Sequence, residues 1–93
     1  MNMRDTATAN GTIAVRIRLF ARYSEVTGTE SVSLQLPAGA TVADAVGQLR
    51  AQIPNGGLLP KRPLAAVNLE HVLADRELQD GDEIALLPPL AGG

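Results

Sequence analysis

The C-terminal end of the sequence offers its clearest chemistry. The chain contains no Cys, no Trp, one His and one Lys, and it ends in Gly92 and Gly93. Two residues without side chains can pass through a channel that any Cβ would block. We therefore expect the carboxyl group of Gly93 to be the group that reacts, inside the active site of a partner protein.

Two prolines precede this end and should set its direction. Pro88 and Pro89 have fixed φ angles, and Pro89 favours an extended conformation at Pro88. Six extended residues span roughly 20 Å, which is long enough to reach into a partner. We expect residues 88–93 to form a flexible Gly-Gly tail whose last residues are Leu90, Ala91, Gly92 and Gly93. The alternative is that the terminal glycines are an ordinary frayed end.

Composition argues against several other classes of function. The chain has 93 residues, a net charge of −2 and only two aromatic residues, Phe20 and Tyr23. This length is typical of one small domain. The chain has neither the excess of basic residues nor the aromatic residues for base stacking that nucleic-acid binding requires. No segment approaches the roughly 20 apolar residues of a membrane span, and the N-terminal residues lack the apolar core of a signal peptide. Absence of Cys is compatible with the cytoplasm, where we expect the protein.

The spacing of apolar residues predicts an α+β fold. Segments with a period of two predict strands, and Thr41 with Asp44 forms an N-cap pattern ahead of an amphipathic helix. The predicted elements are, in order, a strand over 12–20, a helical turn over 21–27, a strand over 31–36, a helix over 42–53, a strand over 64–68, a turn with a short strand within 69–73, and a last strand over 83–87.

This order favours a β-grasp (ubiquitin-like) domain. We expect a mixed sheet of four to five strands packed on one main helix, with the first and last strands adjacent and parallel at its centre. The predicted organisation is a disordered leader over residues 1–12, the β-grasp domain over 13–87 and the tail over 88–93.

Phe20 and Leu87 are the predicted docking residues. Phe20 alternates onto the side of Arg16 and Arg18, and Leu87 alternates away from the apolar side of its own strand. If the two strands are neighbours, both residues form an apolar patch at the root of the tail, and such a patch suggests a docking site. The alternative is that a loop covers this side of the sheet and buries both.

The remaining polar residues give weaker signals. His71 has no Cys partner and no Ser or Asp at the spacing of a catalytic triad, so we interpret it as a surface or partner-facing residue. Asp80, Asp82 and Glu83 could suggest a metal, but a tight turn built on Asp-Gly explains them with fewer assumptions. We predict no metal site.

Four blocks of the sequence resemble the MoaD/ThiS sulfur-carrier superfamily. They are VRIRLFARYSEVTG at 15–28, LPAGATVAD at 36–44, LAAVN at 64–68 and LQDGDEIALLPPLAGG at 78–93. Together they cover nearly everything from Val15 onward. Within the superfamily, the Ala-Ala-Val-Asn strand and the Pro-Pro-x-x-Gly-Gly ending most resemble the small subunits of molybdopterin synthase.

The resemblance implies a mechanism. An E1-like adenylyltransferase/sulfurtransferase would use ATP to adenylate Gly93, and sulfide equivalents would replace the adenylate to give a thiocarboxylate. The large subunit of molybdopterin synthase would accept the tail and use its sulfur for the dithiolene of molybdopterin, in molybdenum cofactor biosynthesis. The chain would then be a non-catalytic, sulfur-donating subunit without a bound cofactor, and it would dock through Phe20, Leu87 and His71. His71 stands near a position where an apolar residue is common in the family.

Three other interpretations stay open. The chain could be a sulfur carrier for another pathway, such as cysteine, thiamine or tRNA thiolation. It could be a ubiquitin-like modifier whose Gly93 forms an isopeptide with a target lysine. It could also be a plain β-grasp interaction module with an inert Gly-Gly ending.

Overall fold

A computed structural model describes residues 11–89 of the chain. The predicted leader, apart from its last two residues, and the residues after Pro89 lie outside this range. The elements are β1 (Thr12–Leu19), α1 (Arg22–Thr27), β2 (Ser31–Pro37), α2 (Val42–Gln52), a 3₁₀ helix (Gly56–Leu58), β3 (Leu64–Val67), β4 (Glu70–Val72) and β5 (Glu83–Leu87).

The five strands form one mixed sheet in the order β2-β1-β5-β3-β4. β1 is antiparallel to β2 and parallel to β5, while β3 is antiparallel to both β5 and β4. The predicted parallel pairing of the first and last strands at the centre of the sheet is confirmed. So is the β-grasp fold.

The core lies between one face of the sheet and α2. Alternate residues of the strands point toward the helix, and the helix contributes the apolar stripe that its spacing predicts. The buried residues of this cluster include Val15, Ile17, Leu19, Leu34, Leu36, Val42, Ala45, Val46, Leu49, Ala65, Val67, Ile84 and Leu86. Burial of one such large aliphatic side chain stabilises the fold by about 1.5–3 kcal/mol. The opposite face of the sheet is left for other contacts.

Local hydrogen bonds set the ends of α2. The Thr41 N–H donates to Asp44 Oδ2 over 2.9 Å and the Asp44 N–H donates to Thr41 Oγ1 over 3.3 Å, which confirms the predicted capping pair. The helix ends at Gln52, and Ile53 is extended because it precedes Pro54. Within residues 11–89 neither α1 nor α2 has the length and apolarity that a bilayer crossing requires.

The ends of β1, β2, α2 and β3 and the start of α1 each differ from the prediction by one residue, and the ends of β1 and β3 lie near residues with positive φ. β1 begins at Thr12, as the predicted strand does, so the leader is one residue shorter than predicted. It ends at Leu19, because Ala21 turns the chain with a φ of 50°. β3 ends at Val67 rather than Asn68, since Asn68 and Leu69 have φ angles of 49° and 76°. Two positive φ angles in succession form a two-residue hairpin turn, which resolves the ambiguous segment into a turn followed by β4. The 3₁₀ helix had no counterpart in the prediction.

Candidate docking surface and tail root

The sheet face opposite α2 carries a row of residues that crosses four strands. Arg18 lies opposite Ala85, Ala85 opposite Ala66, and Ala66 opposite His71. We call these four residues the central row. Ala66 is only 7% exposed but does not belong to the core cluster, which agrees with its place on the opposite face. The two alanines form a low floor between a cationic side chain and an imidazole.

A second row lies one step nearer the tail and is apolar. Leu64 lies opposite Leu87, and Phe20 follows Leu19, the register partner of Leu86. Phe20, Leu87 and Leu64 are called the apolar row below. Phe20 is 37% exposed, Leu64 is 54% exposed and Leu87 is half-buried, so no loop within residues 11–89 buries the predicted pair.

Arg18 contacts the apolar row through Phe20. Its guanidinium carbon lies 5.3 Å from the centroid of the Phe20 ring, which is the geometry of a cation–π interaction. Phe20 itself lies just beyond the end of β1, so its position depends on the turn at Ala21. The stacked guanidinium is therefore part of the same surface as the aromatic ring.

Leu64 and Leu73 extend this surface toward β4. An open cleft of about 520 Å³ is lined by Leu64, Ala65, His71, Val72, Leu73, Asp75 and Arg76. Leu73 is 77% exposed. Sequence reasoning missed both leucines, although the alternation of 64–67 could have placed Leu64 on the side of Ala66. Leu64 and Leu73 lie near Phe20 and Leu87 only because β3 pairs with β4 and β5.

His71 lies on β4 and is exposed at the far end of the central row. The structure therefore brings it onto the same sheet face as Phe20 and Leu87. Its role in partner binding stays a prediction.

Hydrogen bonds hold the start of β5, the strand that leads to the tail. Asp82 is 6% exposed; its Oδ1 accepts from Asn68 Nδ2 over 2.9 Å and its Oδ2 accepts from the Gln79 N–H over 2.8 Å. Asp80 Oδ1 accepts from the Ala14 N–H over 2.7 Å. The carboxylates of Asp80 and Asp82 thus accept hydrogen bonds that hold the turn before β5, as predicted. Within residues 11–89, no three His, Asp or Glu side chains are grouped so that they could hold a metal ion.

The chain leaves the sheet after Leu87, next to the apolar row. Pro88 is half-buried and Pro89 is exposed. Leu90, Ala91, Gly92 and Gly93 lie outside the described residues, and their predicted roles stay predictions. The tail nevertheless starts at the end of the central strand, directly after Leu87, the middle residue of the apolar row.

A β-grasp domain whose last strand lies at the sheet centre, beside an open apolar face, is a ubiquitin-like protein. Comparison with known proteins gives the family. The ThiS family model matches residues 17–93, and the chain belongs to the ThiS family.

Two relatives show how much of the chain is shared. The molybdopterin synthase sulfur carrier subunit of Chlamydomonas reinhardtii is 37% identical over 81 residues, which cover 85% of this chain and 98% of the relative. Small archaeal modifier protein 3 of Haloferax volcanii is 31% identical over 90 residues, which cover 85% and 98% of the two chains.

Solved structures confirm the fold. SAMP1 of Haloferax volcanii superposes with a TM-score of 0.73 at 31% identity, and the match covers 86% of this chain and 99% of that one. A chain in the complex of subunits 1 and 2 of the molybdopterin-converting factor from Helicobacter pylori superposes with a TM-score of 0.63 at 23% identity, over 87% of this chain and all of that one.

Proposed function

We propose that this chain is a sulfur carrier and the small subunit of a molybdopterin synthase. The observation that carries the proposal is the position of β5, which is paired parallel to β1 at the sheet centre and ends beside the apolar row. This geometry places Pro88 and Pro89, the first residues of the tail, beside a surface suited to docking. The relative of Chlamydomonas reinhardtii, which carries the name of this function, supports the assignment.

Gly93 supplies the reacting carboxyl group. A C-terminal carboxylate is ionised above a pKa of about 3.5 and is a poor electrophile. An E1-like adenylyltransferase would join its oxygen to the α-phosphate of ATP and release pyrophosphate. A sulfide equivalent would then attack the carbonyl carbon, and AMP would leave. The product is a Gly93 thiocarboxylate.

The chain itself contributes reach and access to this chemistry. Pro88 and Pro89 favour an extended exit from β5, and Gly92 removes the side chain that would obstruct a narrow channel. The activating enzyme and the large synthase subunit would supply the catalytic groups and bind ATP or the pterin precursor. The carrier needs no bound cofactor of its own, and as a chain without cysteine it suits the cytoplasm.

The large subunit of the synthase would dock on the apolar row. Phe20, Leu87 and Leu64 form a partly exposed apolar strip directly beside the start of the tail. Burial of this strip would hold the domain while the tail occupies the active site. His71 would lie at the margin of the contact.

Reconstitution tests the proposal. The thiocarboxylated chain is mixed with the large subunit and the sulfur-free pterin precursor, and dithiolene formation is measured. We expect product in proportion to the thiocarboxylate consumed, and none with a chain that lacks Gly93. Thiocarboxylation without transfer to this precursor would instead indicate a carrier for another pathway, such as cysteine, thiamine or tRNA thiolation.

A second candidate function is protein modification. The relative of Haloferax volcanii that is 31% identical is named a small archaeal modifier protein. In that case the activated Gly93 carbonyl would be attacked by a lysine Nζ of a target, with loss of the activating group and formation of an isopeptide. Conjugates that survive thiol reductants and disappear on deletion of Gly93 would favour this function.

A further inference from the structure

Two arginines of β1 have the same orientation but different surroundings. Arg16 and Arg18 both alternate onto the open sheet face and are exposed. The register partners of Arg16 are Ser33 and Glu83, so a carboxylate of the same domain lies beside it. The register partners of Arg18 are Ser31 and Ala85, which carry no charge.

Arg18 also contacts an aromatic ring. Its guanidinium stacks on Phe20, with 5.3 Å between the guanidinium carbon and the ring centroid. A guanidinium beside an aromatic ring keeps its N–H donors, whose fork geometry matches the two oxygens of a carboxylate. The contact with the ring favours conformations in which the guanidinium lies beside Phe20, and this lowers the conformational entropy lost on binding.

Docking on the apolar row would remove water from around Arg18. A partner that covers Phe20 must also cover the group stacked on it. A charge that loses water without gaining a partner weakens binding, whereas a facing carboxylate stabilises the contact. The low floor formed by Ala85 and Ala66 would let the partner approach closely beside Arg18.

We infer that the large subunit presents a carboxylate to Arg18, and that Arg18 determines which partner docks on the apolar row. This inference rests on the proposed function. It assigns Arg18 to recognition only, because Gly93 carries the reacting group and Arg18 lies in the folded domain. Arg16, next to Glu83, contributes little to recognition.

The test compares two identical charge reversals on the same strand and the same sheet face. Dissociation constants for the purified large subunit are measured by calorimetry for the full chain and for its Arg18→Glu and Arg16→Glu variants. We expect Arg18→Glu to weaken binding at least about tenfold and Arg16→Glu to change it by less than about threefold. Arg18→Gln should give an intermediate loss and a weaker dependence of binding on salt concentration.

Sulfur transfer separates recognition from chemistry. At saturating concentrations of the large subunit, thiocarboxylated Arg18→Glu should transfer sulfur at the rate of the unaltered chain, while its half-saturating concentration rises. Equal binding by Arg18→Glu and the unaltered chain, or equal losses in the two variants, would overturn the inference and leave the carrier function intact. If the unaltered chain takes up sulfur but does not bind the large subunit, the proposed acceptor itself is wrong.

Discussion

Asn68 and Asp82 are joined by a hydrogen bond of 2.9 Å between Asn68 Nδ2 and Asp82 Oδ1. The Glu83 N–H donates to Asn68 Oδ1 over 3.0 Å, so one amide side chain links the β3–β4 turn to the start of β5. These bonds tie the hairpin that carries His71 to the strand that carries the tail. The Asn of the Ala-Ala-Val-Asn block thus has a structural role in positioning the docking surface.

Loss of this amide should destabilise the domain. Asn68→Ala leaves the buried Oδ1 of Asp82 without its partner, and we expect the free energy of unfolding to fall by about 1–3 kcal/mol. Asn68→Asp should cost more near neutral pH, because it places a second carboxylate against Asp82. Urea unfolding measures both effects, with Gln35→Ala on the exposed face of β2 as the control. Unchanged stability in both Asn68 variants would contradict the assigned role.

Gly56 should not tolerate a side chain, whereas Gly57 should. A Cβ at Gly56 would meet the backbone of Arg50, at 2.8 Å from its carbonyl carbon, and a Cβ at Gly57 would meet nothing within 4 Å. Backbone atoms cannot move aside cheaply, so Gly56→Ala should lower the unfolding free energy by about 1–3 kcal/mol. Gly57→Ala is the matched control and should change it by less than about 0.5 kcal/mol. Similar urea-unfolding midpoints for the two variants would contradict the predicted clash at Gly56.

Replacement of Leu69 by glycine should stabilise the domain. It is 95% exposed and has a φ of 76°, a conformation that disfavours a side chain. Relief of about 1–2 kcal/mol of strain should exceed the entropy that glycine adds to the unfolded chain. Leu73, 77% exposed and with no positive φ, is the control, and Leu73→Gly should be destabilising. A lower melting temperature for Leu69→Gly than for the unaltered chain would contradict this prediction.

The single tyrosine should report folding at alkaline pH. Tyr23 is 6% exposed, and burial raises its pKa above the ordinary value of 10.0. The phenol therefore loses its proton at a lower pH in the unfolded chain than in the folded one. The stability that the buried, neutral phenol contributes is present below pH 10 and is lost as pH rises from there through the folded pKa. Tyr23→Phe should show a flatter loss of stability above pH 10. Phenolate absorbance should have its midpoint at a higher pH in the folded chain than in urea, and coincident midpoints would refute the shift.

Most of the fold could be predicted because its signals are local. Alternation in β1 and β2, the Thr41–Asp44 cap and the helical stripe after it each depend on neighbouring residues. Ala21 gives no such signal, since an alanine with positive φ is indistinguishable in sequence from one in a strand. Leu69 has the same property, and its turn set the end of β3.

The docking surface was only partly predictable for a different reason. Alternation placed Phe20 and Leu87 on the open face of the sheet. Which strands pair with each other, however, depends on residues that are far apart in the sequence. Leu64 joins the apolar row because β3 pairs with β5. The contact of Arg18 with Phe20 was not predicted either, although the alternation of residues 12–20 places the two side chains on one face.

The central claim is that Gly93 accepts sulfur, and intact mass measures it most directly. The full chain and a variant without Gly93 are incubated with ATP, an E1-like adenylyltransferase and a sulfur donor. We predict a gain equal to the exchange of one oxygen atom for sulfur in the full chain alone. No gain in the full chain, or the same gain in both, would contradict the account.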